Sequence, residues 1–410
     1  MKPLAEAQRQ VLATVGRLPP GRVPVWSSVG LVLADDVIAT QDVPPFPNSA
    51  MDGYAVKGAD VAAVPTVLRV LEDVAAGHVG TATVEPGTAV KIMTGAPIPP
   101  GADTIVKVED TEPGDGAVRI MAVTEPGTSV REAGGDVRSG DLVFDTGTRL
   151  TPAHLGVLAA IGVAEPTVFR RPRVAVMSTG DEVLAPESPR LAPGQIRDAN
   201  RPLLTGLLSE LGAEVHDYGI VVDDATLLRS TLLRAAEECD VVMTSGGVSM
   251  GEYDLVKAVL TELGDIELWR VAMQPAKPFA FGQIRSTPLF GLPGNPVSVL
   301  VAFEQFARPA LLSMMGSRLL FRPRLRGVLA HDVHTDPEKT VFLRMNVTEQ
   351  DGRWVAASAG GQSSNVLSAA ANANGFAVVP VGTGSVDEGS VVELEMFRWS
   401  ETRTYEDVLG

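Results

Sequence analysis

Residues 239–263 read CDVVMTSGGVSMGEYDLVKAVLTEL, and this stretch decides the fold class. A short apolar run, CDVVMTS, is followed by a glycine-rich turn and then by LVKAVLTEL, whose apolar residues recur at helical spacing. A strand that leads through a tight turn into a helix is the repeating unit of sheets with parallel strands. The stretch therefore predicts one βα unit of such a sheet.

Three further stretches have the same order of strand, turn and helix. RVAVM leads to a helix for which we expect Asn200 to be the cap. VHDYGIVV leads to a helix capped at Asp223 or Asp224, and PLFGLPG leads to a long helix from Pro296 to about Met314. The series predicts a central three-layer α/β/α domain with a mostly parallel sheet, in which loops at the carboxyl ends of the strands hold the ligand.

Strand-rich regions flank this domain and make the chain a multidomain α/β plus β protein. Short Val-, Thr- and Ile-rich runs lie between helices expected at 3–15 and 152–163, and they predict an inserted strand-rich domain. Alternating runs after residue 320 predict a C-terminal small β-barrel-like domain. The expected segments are 1–45 and 141–171 for a helical domain I, 46–140 for the insertion, 172–320 for the α/β domain, and 321–410 for the C-terminal β domain.

Composition restricts the class of protein. The chain has 410 residues and 45% apolar content, enough for several cores. Its net charge of −16 argues against nucleic acid, because phosphate neutralisation needs clustered Lys and Arg. The single cysteine, Cys239, excludes an internal disulfide framework and a multi-thiolate metal site. We find neither a signal peptide nor an apolar run of membrane-spanning length, so we expect a cytoplasmic protein.

Glycine-rich loops follow the predicted strands. Glycine lets a backbone approach a bulky ligand, and exposed amides before a helix attract phosphate. We expect an anion cradle from Ser245, Gly246, Gly247 and Ser249. A GG loop alone more often marks a plain turn, but the acidic residues nearby favour the cradle. The chain has no GxxxxGK[ST] pattern, so ATP hydrolysis of the Walker kind is not expected.

Four acidic residues, Asp181, Glu182, Asp223 and Asp254, fall in the same loops, which this topology brings to one edge of the sheet. Carboxylates beside a phosphate site can hold Mg²⁺, and the predicted metal ligands are Glu182, Asp223 and Asp254. The alternative, that Asp223 and Asp254 only cap helices, stays open at this stage.

Positive charge for an anionic substrate comes from Lys277, Arg270 and Arg344. Lys277 precedes Pro278, which restricts its backbone and can aim its ammonium group at the same edge. The alternative for each of these residues is a solvated surface side chain.

The motifs NSAMDGYAV, IMTGAPIPPGADTIVKVED, REAGGDV, STGDE, DANRPLL, TSGGVSMGEYD, KPFAFG, GLPGNPVS and QSSNVLSAAANANGFAVVP occur in this order along nearly the whole chain. Together they resemble the molybdopterin molybdenumtransferases, a family that includes bacterial enzymes and the E domain of gephyrin. The resemblance implies a homodimer that binds molybdate and adenylylated molybdopterin, with residues 172–320 as the molybdopterin-binding domain. It also implies that Mg²⁺ assists the release of AMP while molybdenum joins the dithiolene sulfurs.

The resemblance also assigns roles to residues at matching motif positions. The implied catalytic residues are Asp52, Thr94, Asp136, Glu182, Asp223, Asp254, Lys277 and Arg344. The implied substrate contacts are Thr179, Gly180, Ser245, Gly246, Gly247, Ser249, Pro293, Gly294, Asn295 and Ser363. Asp52, Thr94 and Asp136 come from the insertion, so we expect them to reach the pocket across the dimer interface.

The chain departs from the family pattern in one stretch. Many relatives have Lys in place of Gln274, Gly in place of Ala276 and Lys in place of Arg270, so position 274 lacks the charge needed for an anion contact. Two other functions stay possible: a non-catalytic gephyrin-like scaffold, and a molybdopterin adenylyltransferase. Expected partners of the transferase are the molybdopterin adenylyltransferase and molybdoenzyme maturation proteins, in transient contact, with no membrane.

Overall fold

The computed structural model describes residues 1–246 and 255–399, apart from the side chains of 255–257. The chain forms two compact units. The larger unit contains Met1–Gly21, Gly30–Val32 and the chain from Phe169 onward, and the smaller unit contains Arg22–Val29 and Leu33–Val168. The five predicted segments divide the chain more finely than this, and they stay a prediction.

The smaller unit is built on a six-stranded sheet whose strands all lie between residues 53 and 120. They are β5 (Gly53–Val56), β6 (Thr66–Val74), β7 (Thr88–Ile92), β8 (Thr104–Lys107), β9 (Thr111–Pro113) and β10 (Ala117–Ile120). The order across the sheet is β8-β5-β7-β6-β10-β9. Tyr54 and Val56 pack in one core and Ala55 packs in another, so both faces of the central strand β5 are covered.

Short elements precede and follow this sheet. They are β1 (Pro20–Arg22), β2 (Val32–Leu33), β3 (Val37–Ile38), β4 (Asn48–Ser49), β11 (Val130–Arg131), β12 (Leu142–Phe144), helix α2 (Pro152–Ala160) and β13 (Thr167–Phe169). Helix α2 begins after a capping box in which the Thr151 and His154 side chains each bond to the other's backbone. The helix predicted at 152–163 is confirmed from Pro152 to Ala160, and the three residues that follow are not helical.

The larger unit contains a mixed sheet of six strands in its described part. They are β14 (Arg173–Thr179), β17 (Glu214–Val221), β18 (Val241–Ser245), β19 (Gly264–Arg270), β21 (Pro278–Ile284) and β22 (Thr287–Leu292), in the order β17-β14-β18-β22-β21-β19. The first four strands in this order are mutually parallel, and β21 and β19 form an antiparallel edge. Short strands β15 (Val183–Leu184), β16 (Ile196–Arg197) and β20 (Met273–Gln274) lie outside it.

Helices follow the parallel strands as the sequence predicts. They are α3 (Asn200–Leu211), α4 (Ala225–Glu238), α5 (Leu255–Leu263), α6 (Pro296–Ala302) and α7 (Arg308–Met314), and helix α1 (Leu4–Thr14) packs in the same unit. Val174 and Val176 of β14 share a core with α3, α6 and α7. The alternating residues Ala175 and Met177 share another core with α4 and α5. Helices therefore cover both faces of β14, which explains its continuous apolar sequence.

The start of α3 differs from the prediction. Asn200 is the first helical residue and not the cap. Its side-chain amide donates to the Gly294 carbonyl oxygen at 2.6 Å, while Asp198 accepts a hydrogen bond from the Arg201 amide at 3.1 Å. The predicted cap at Asn200 is wrong because the Asp198 carboxylate bonds to the Arg201 amide in the first turn. The Asn200 side chain instead bonds to the neighbouring loop that contains Gly294.

A long helical run begins at Pro296. The segments α6 and α7 are joined by the π-helical turn Phe303–Ala307, so the run extends to Met314 as predicted. Among the described residues it is the one helix long and apolar enough to span a membrane, but 89% of that window is buried inside the protein. Its apolar side chains form part of the core.

The C-terminal part of the larger unit closes into a small β-barrel. Its elements are β23 (Arg324–Leu329), β24 (Val333–His334), β25 (Thr340–Gln350), β26 (Arg353–Ser358), helix α8 (Leu367–Asn372), β27 (Gly375–Val379), β28 (Ser385–Val386) and β29 (Val391–Met396). The order is β25-β26-β23-β29-β27, and β27 pairs back to β25. The predicted barrel is thereby confirmed. Strand β20 pairs with β25, so the segment between β19 and β21 reaches the barrel.

Candidate active site

A cavity of about 830 Å³ lies in the larger unit, where the loops that follow β14 and β22 meet the β20 segment and the barrel. The lining includes six of the predicted site residues: Glu182, Lys277, Pro293, Gly294, Asn295 and Ser363. The carboxyl ends of parallel strands therefore meet at one hollow, as expected for ligand sites of open α/β sheets.

The acidic residues Asp181, Glu182 and Asp223 lie close together beside this cavity. The Asp223 amide donates to the Asp181 carboxylate at 3.0 Å. Partial burial raises the pKa of the Asp223 carboxyl, and the negative charges of Asp181 and Glu182 raise it further. Asp224 caps α4 by accepting a hydrogen bond from the Leu227 amide at 2.7 Å. Of the two predicted capping residues it is therefore Asp224 that caps, which leaves Asp223 available for a ligand.

Lys277 ends the loop between β19 and β21. Its carbonyl oxygen accepts a hydrogen bond from the Val271 amide at 2.9 Å, which closes the loop below it. The exposed Gln274 and the buried Ala276 of the same loop also line the cavity. Ala276 has a φ of 71°, a backbone conformation that favours glycine. Glycine would adopt this conformation without strain.

Arg344 lies behind the cavity wall. It is 1% exposed, and its Nη2 atom donates to the carbonyl oxygens of Gly361 at 2.9 Å and Ser363 at 3.2 Å. Burial lowers the pKa of the guanidinium. The Arg344 amide also donates to the Gln362 side chain at 2.9 Å. Arg344 therefore positions the loop whose Gln362 and Ser363 face the cavity.

The N-terminus of the long helical run forms another part of the wall. The Asn295 side chain donates to the Ser364 hydroxyl at 2.9 Å, and the Val297 amide donates to the Ser364 carbonyl at 3.3 Å. These bonds tie the start of the helix to the 361–364 loop. A helix N-terminus carries partial positive charge, which favours an anion in the cavity.

Two predicted glycines have backbone requirements. Gly180 has a φ of +129°, a conformation that L side chains rarely adopt. A side chain at Gly246 would meet the Thr179 carbonyl at 2.7 Å. The Gly246 amide donates to the Leu292 carbonyl at 3.2 Å, so this amide is already bonded. The Thr179 hydroxyl likewise donates to the Ser245 carbonyl at 3.4 Å.

Three predicted residues lie in the smaller unit. Asp52 accepts hydrogen bonds from the Thr94 amide and hydroxyl, both at 2.7 Å. These bonds, the amide first, lower the pKa of the Asp52 carboxyl. Asp136 is exposed, and its amide donates to the Val43 carbonyl at 3.0 Å. Asp52 and Thr94 thus form a pair, which their separation in sequence did not reveal.

Gly247, Ser249 and Asp254 lie outside the described residues. Within residues 1–246 and 255–399, no three His, Cys, Asp or Glu side chains are arranged to hold a metal ion. The predicted metal site included Asp254 and stays a prediction.

Sequence reasoning missed several cavity residues, among them Lys339, Ser298 and Gln362. Lys339 lies in the loop before β25, where TDPEKT reads as an ordinary turn. Only the pairing of β20 with β25 brings it to the site, so no local sequence signal marks it.

Comparison with known proteins assigns the chain to one class. The family model described as "MoeA N-terminal region (domain I and II)" matches residues 2–162. The model "Probable molybdopterin binding domain" matches residues 175–313, and "MoeA C-terminal region (domain IV)" matches residues 326–397. The three models follow one another along the chain and identify a MoeA-type protein.

Full-length relatives narrow the class to a family. Molybdopterin molybdenumtransferase 2 of Mycobacterium tuberculosis is 40% identical over 404 residues, covering 96% of this chain and 99% of the relative. Molybdopterin molybdenumtransferase of Haemophilus influenzae is 37% identical over 369 residues, covering 89% and 91%. A molybdopterin biosynthesis MoeA protein from Pyrococcus horikoshii superimposes with a TM-score of 0.82 at 26% identity, covering 97% of this chain and 100% of that one. The chain belongs to the molybdopterin molybdenumtransferase family.

Proposed function

We propose that this chain inserts molybdenum from molybdate into the dithiolene of adenylylated molybdopterin and releases AMP, as a step of molybdenum cofactor biosynthesis. The observation that carries the proposal is the single cavity that joins Lys277 and a helix N-terminus to Glu182, with Asp223 beside it. Such a cavity offers cations to oxyanions and carboxylates to a divalent cation.

The anionic parts of the substrates are bound by the cationic wall. Lys277 pairs with an oxyanion, and the Ser363 hydroxyl donates to one of its oxygens. Pro293, Gly294 and Asn295 keep the backbone at the start of the long helix close to the ligand. Arg344 acts through its bonds to the backbone of the Ser363 loop, which keep Ser363 at the cavity wall.

Glu182 and Asp223 fit the requirements of Mg²⁺. Both are oxygen donors, and the pKa of Asp223 is raised first by partial burial and then by the negative charges of Asp181 and Glu182, a repulsion that a divalent cation would relieve. Mg²⁺ sites commonly use one or two carboxylates together with substrate phosphates, and Asp254 is the third ligand in our proposal. Bound Mg²⁺ would neutralise the charge that develops as the phosphoanhydride breaks.

The proposal includes a homodimer in the cytoplasm, with Asp52, Thr94 and Asp136 supplied to each site by the second copy. Mixing two inactive variants tests this arrangement. Lys277→Ala mixed with Asp52→Asn should recover about a quarter of wild-type activity, because half of the dimers then carry one intact site. The pair Lys277→Ala and Glu182→Gln would recover none, since both residues belong to the same cavity.

Purified protein, adenylylated molybdopterin, molybdate and Mg²⁺ provide the direct test. We expect AMP release that depends on molybdate and on Mg²⁺, and a product that activates an apo-molybdoenzyme. Adenylylation of molybdopterin from ATP without molybdenum uptake would instead identify an adenylyltransferase. If both activities are absent and the protein binds a receptor tail or a cytoskeletal protein stoichiometrically, the result would identify a scaffold.

A further inference from the structure

The cavity wall carries a second lysine that the sequence did not reveal. Lys277 and Lys339 both line the cavity, and Glu182 is the acidic side chain in the described lining. The wall therefore presents two lysines and one carboxylate in a chain whose net charge is −16. Two ammonium groups around one hollow can attract a small anion.

The position of Lys339 is fixed by backbone bonds. The Thr340 amide donates to the Ala272 carbonyl at 3.0 Å, and Met273 lies opposite Thr340 in the pairing of β20 with β25. Lys339 thus stands beside the loop that carries Gln274 and Lys277. The Lys339 side chain is only 17% exposed, so the wall restricts where its ammonium can go.

Asp336 holds the Lys339 ammonium group in a hydrogen-bonded ion pair. Its carboxylate also accepts a hydrogen bond from the Glu338 amide at 2.9 Å. The Lys339 bond first and the Glu338 amide next lower the pKa of the Asp336 carboxyl, and the charge of Lys277 contributes too. The Asp336 carboxylate therefore interacts electrostatically with both lysines.

We infer that Lys339 is a second oxyanion-binding residue of this cavity. The Asp336 carboxylate pairs with the Lys339 ammonium group until a tetrahedral dianion displaces it. The inference deepens the proposed function and rests on it for the identity of the dianion. Two sources share this chemistry: molybdate, and the phosphate group of the nucleotide.

The exposure of Asp336 allows a dianion to replace it as the partner of Lys339. The Asp336 side chain is 32% exposed, so water can solvate its carboxylate once the ion pair opens. A dianion between two lysines gains charge-assisted bonds to both of them. Gln274 lines the same wall but is neutral, so it cannot supply the second charge.

Calorimetric titration of the purified protein with molybdate, and separately with AMP, tests the inference without turnover. Lys339→Met should weaken the binding of one of these anions by roughly ten-fold or more, the size of one charge-assisted contact. The anion that responds identifies the source. Asp336→Asn should tighten the same binding, because asparagine can still accept the Glu338 hydrogen bond while the competing charge is gone.

Lys91→Met is the matched control. Lys91 forms an exposed ion pair with Asp73 at 2.7 Å in the smaller unit, so the substitution removes the same charge and the same kind of partner. Its anion affinity should equal that of the wild type. In the double variant Gln274→Lys, Lys339→Met, an ammonium returns to the wall, and we expect most of the lost affinity to return.

A purely structural Lys339–Asp336 pair gives a different pattern. Both single variants would then melt at lower temperature, with unchanged affinity for both anions, and that result overturns the inference. Undetectable binding of both anions to the wild type at millimolar concentration also overturns it. If anion binding depends on Lys339 but no molybdenum is transferred, the inference stands and the proposed function fails. If molybdenum is transferred but anion binding does not depend on Lys339, the proposed function stands and the inference fails.

Discussion

Asp224 caps helix α4 through a 2.7 Å hydrogen bond from the amide of Leu227. This bond distinguishes the role of Asp224 from that of its neighbour Asp223. Asp223 makes no contribution to that cap, and its carboxyl lies in the field of Asp181 and Glu182. A structural acid and a candidate metal ligand thus stand side by side, which allows a matched pair of substitutions.

Asp223→Asn should abolish molybdenum insertion without loss of stability. The pKa of Asp223 is raised in the folded protein, so its ionisation disfavours folding as pH rises above the value in the unfolded chain. The variant should therefore be at least as stable as the wild type at pH 7, with no gain at pH 3. Denaturant unfolding at the two pH values and the AMP-release assay check this.

Asp224→Ala should lower stability and leave activity intact, the opposite of Asp223→Asn. Loss of an N-cap costs about 0.5–2 kcal/mol of folding free energy, while activity per folded molecule should be retained. If Asp224→Ala is inactive and Asp223→Asn is active, the assignment of the two acids is reversed.

Arg344→Met should be strongly destabilising because it deprives two carbonyl oxygens of their buried donor. A buried unpaired polar group and the altered packing together cost on the order of 3 kcal/mol. The exposed Arg353→Met is the control and should stay within about 0.5 kcal/mol of the wild type. Urea unfolding measures both variants. Equal stability of the two would show that the bonds to Gly361 and Ser363 do not hold the loop.

The strand and helix series was predictable because each unit is encoded locally. In α3, for example, Leu204, Leu208 and Leu211 recur at helical spacing and are buried, and Gly212 follows with a φ of 88°. Each such signal lies within a few residues of the element that it specifies.

The antiparallel edge of the sheet was not predictable in the same way. Trp269, Phe279 and Phe281 are buried whichever way their strands run, so apolar content does not report strand direction. The reversal between β21 and β22 is made by Arg285 at a φ of 56°, where no glycine signals a turn. Lys339 was missed for a related reason, since a pairing between distant segments brings it to the cavity.

Thr94→Val should raise the pKa of the Asp52 carboxyl, because the hydroxyl is one of the two donors that lower it. A carboxyl whose pKa is depressed in the folded state contributes stability above its unfolded pKa and loses it as pH falls through the folded value. The difference in stability between wild type and variant should therefore be present at pH 7 and fade below roughly pH 4. NMR titration of the Asp52 carboxyl carbon measures the shift directly. An unchanged titration curve would show that the amide of Thr94 alone sets this pKa.

Ala276→Gly tests whether the cavity loop carries backbone strain. An L-residue in the left-handed region costs about 1–2 kcal/mol, and glycine removes that cost while losing about 0.5–1 kcal/mol through chain entropy. Ala280→Gly is the control: Ala280 is also fully buried, but it lies in strand β21 with no such penalty. We expect Ala280→Gly to lower the melting temperature and Ala276→Gly to leave it unchanged or raise it. Equal losses in both variants would mean that the alanine at position 276 carries no backbone strain that glycine can relieve.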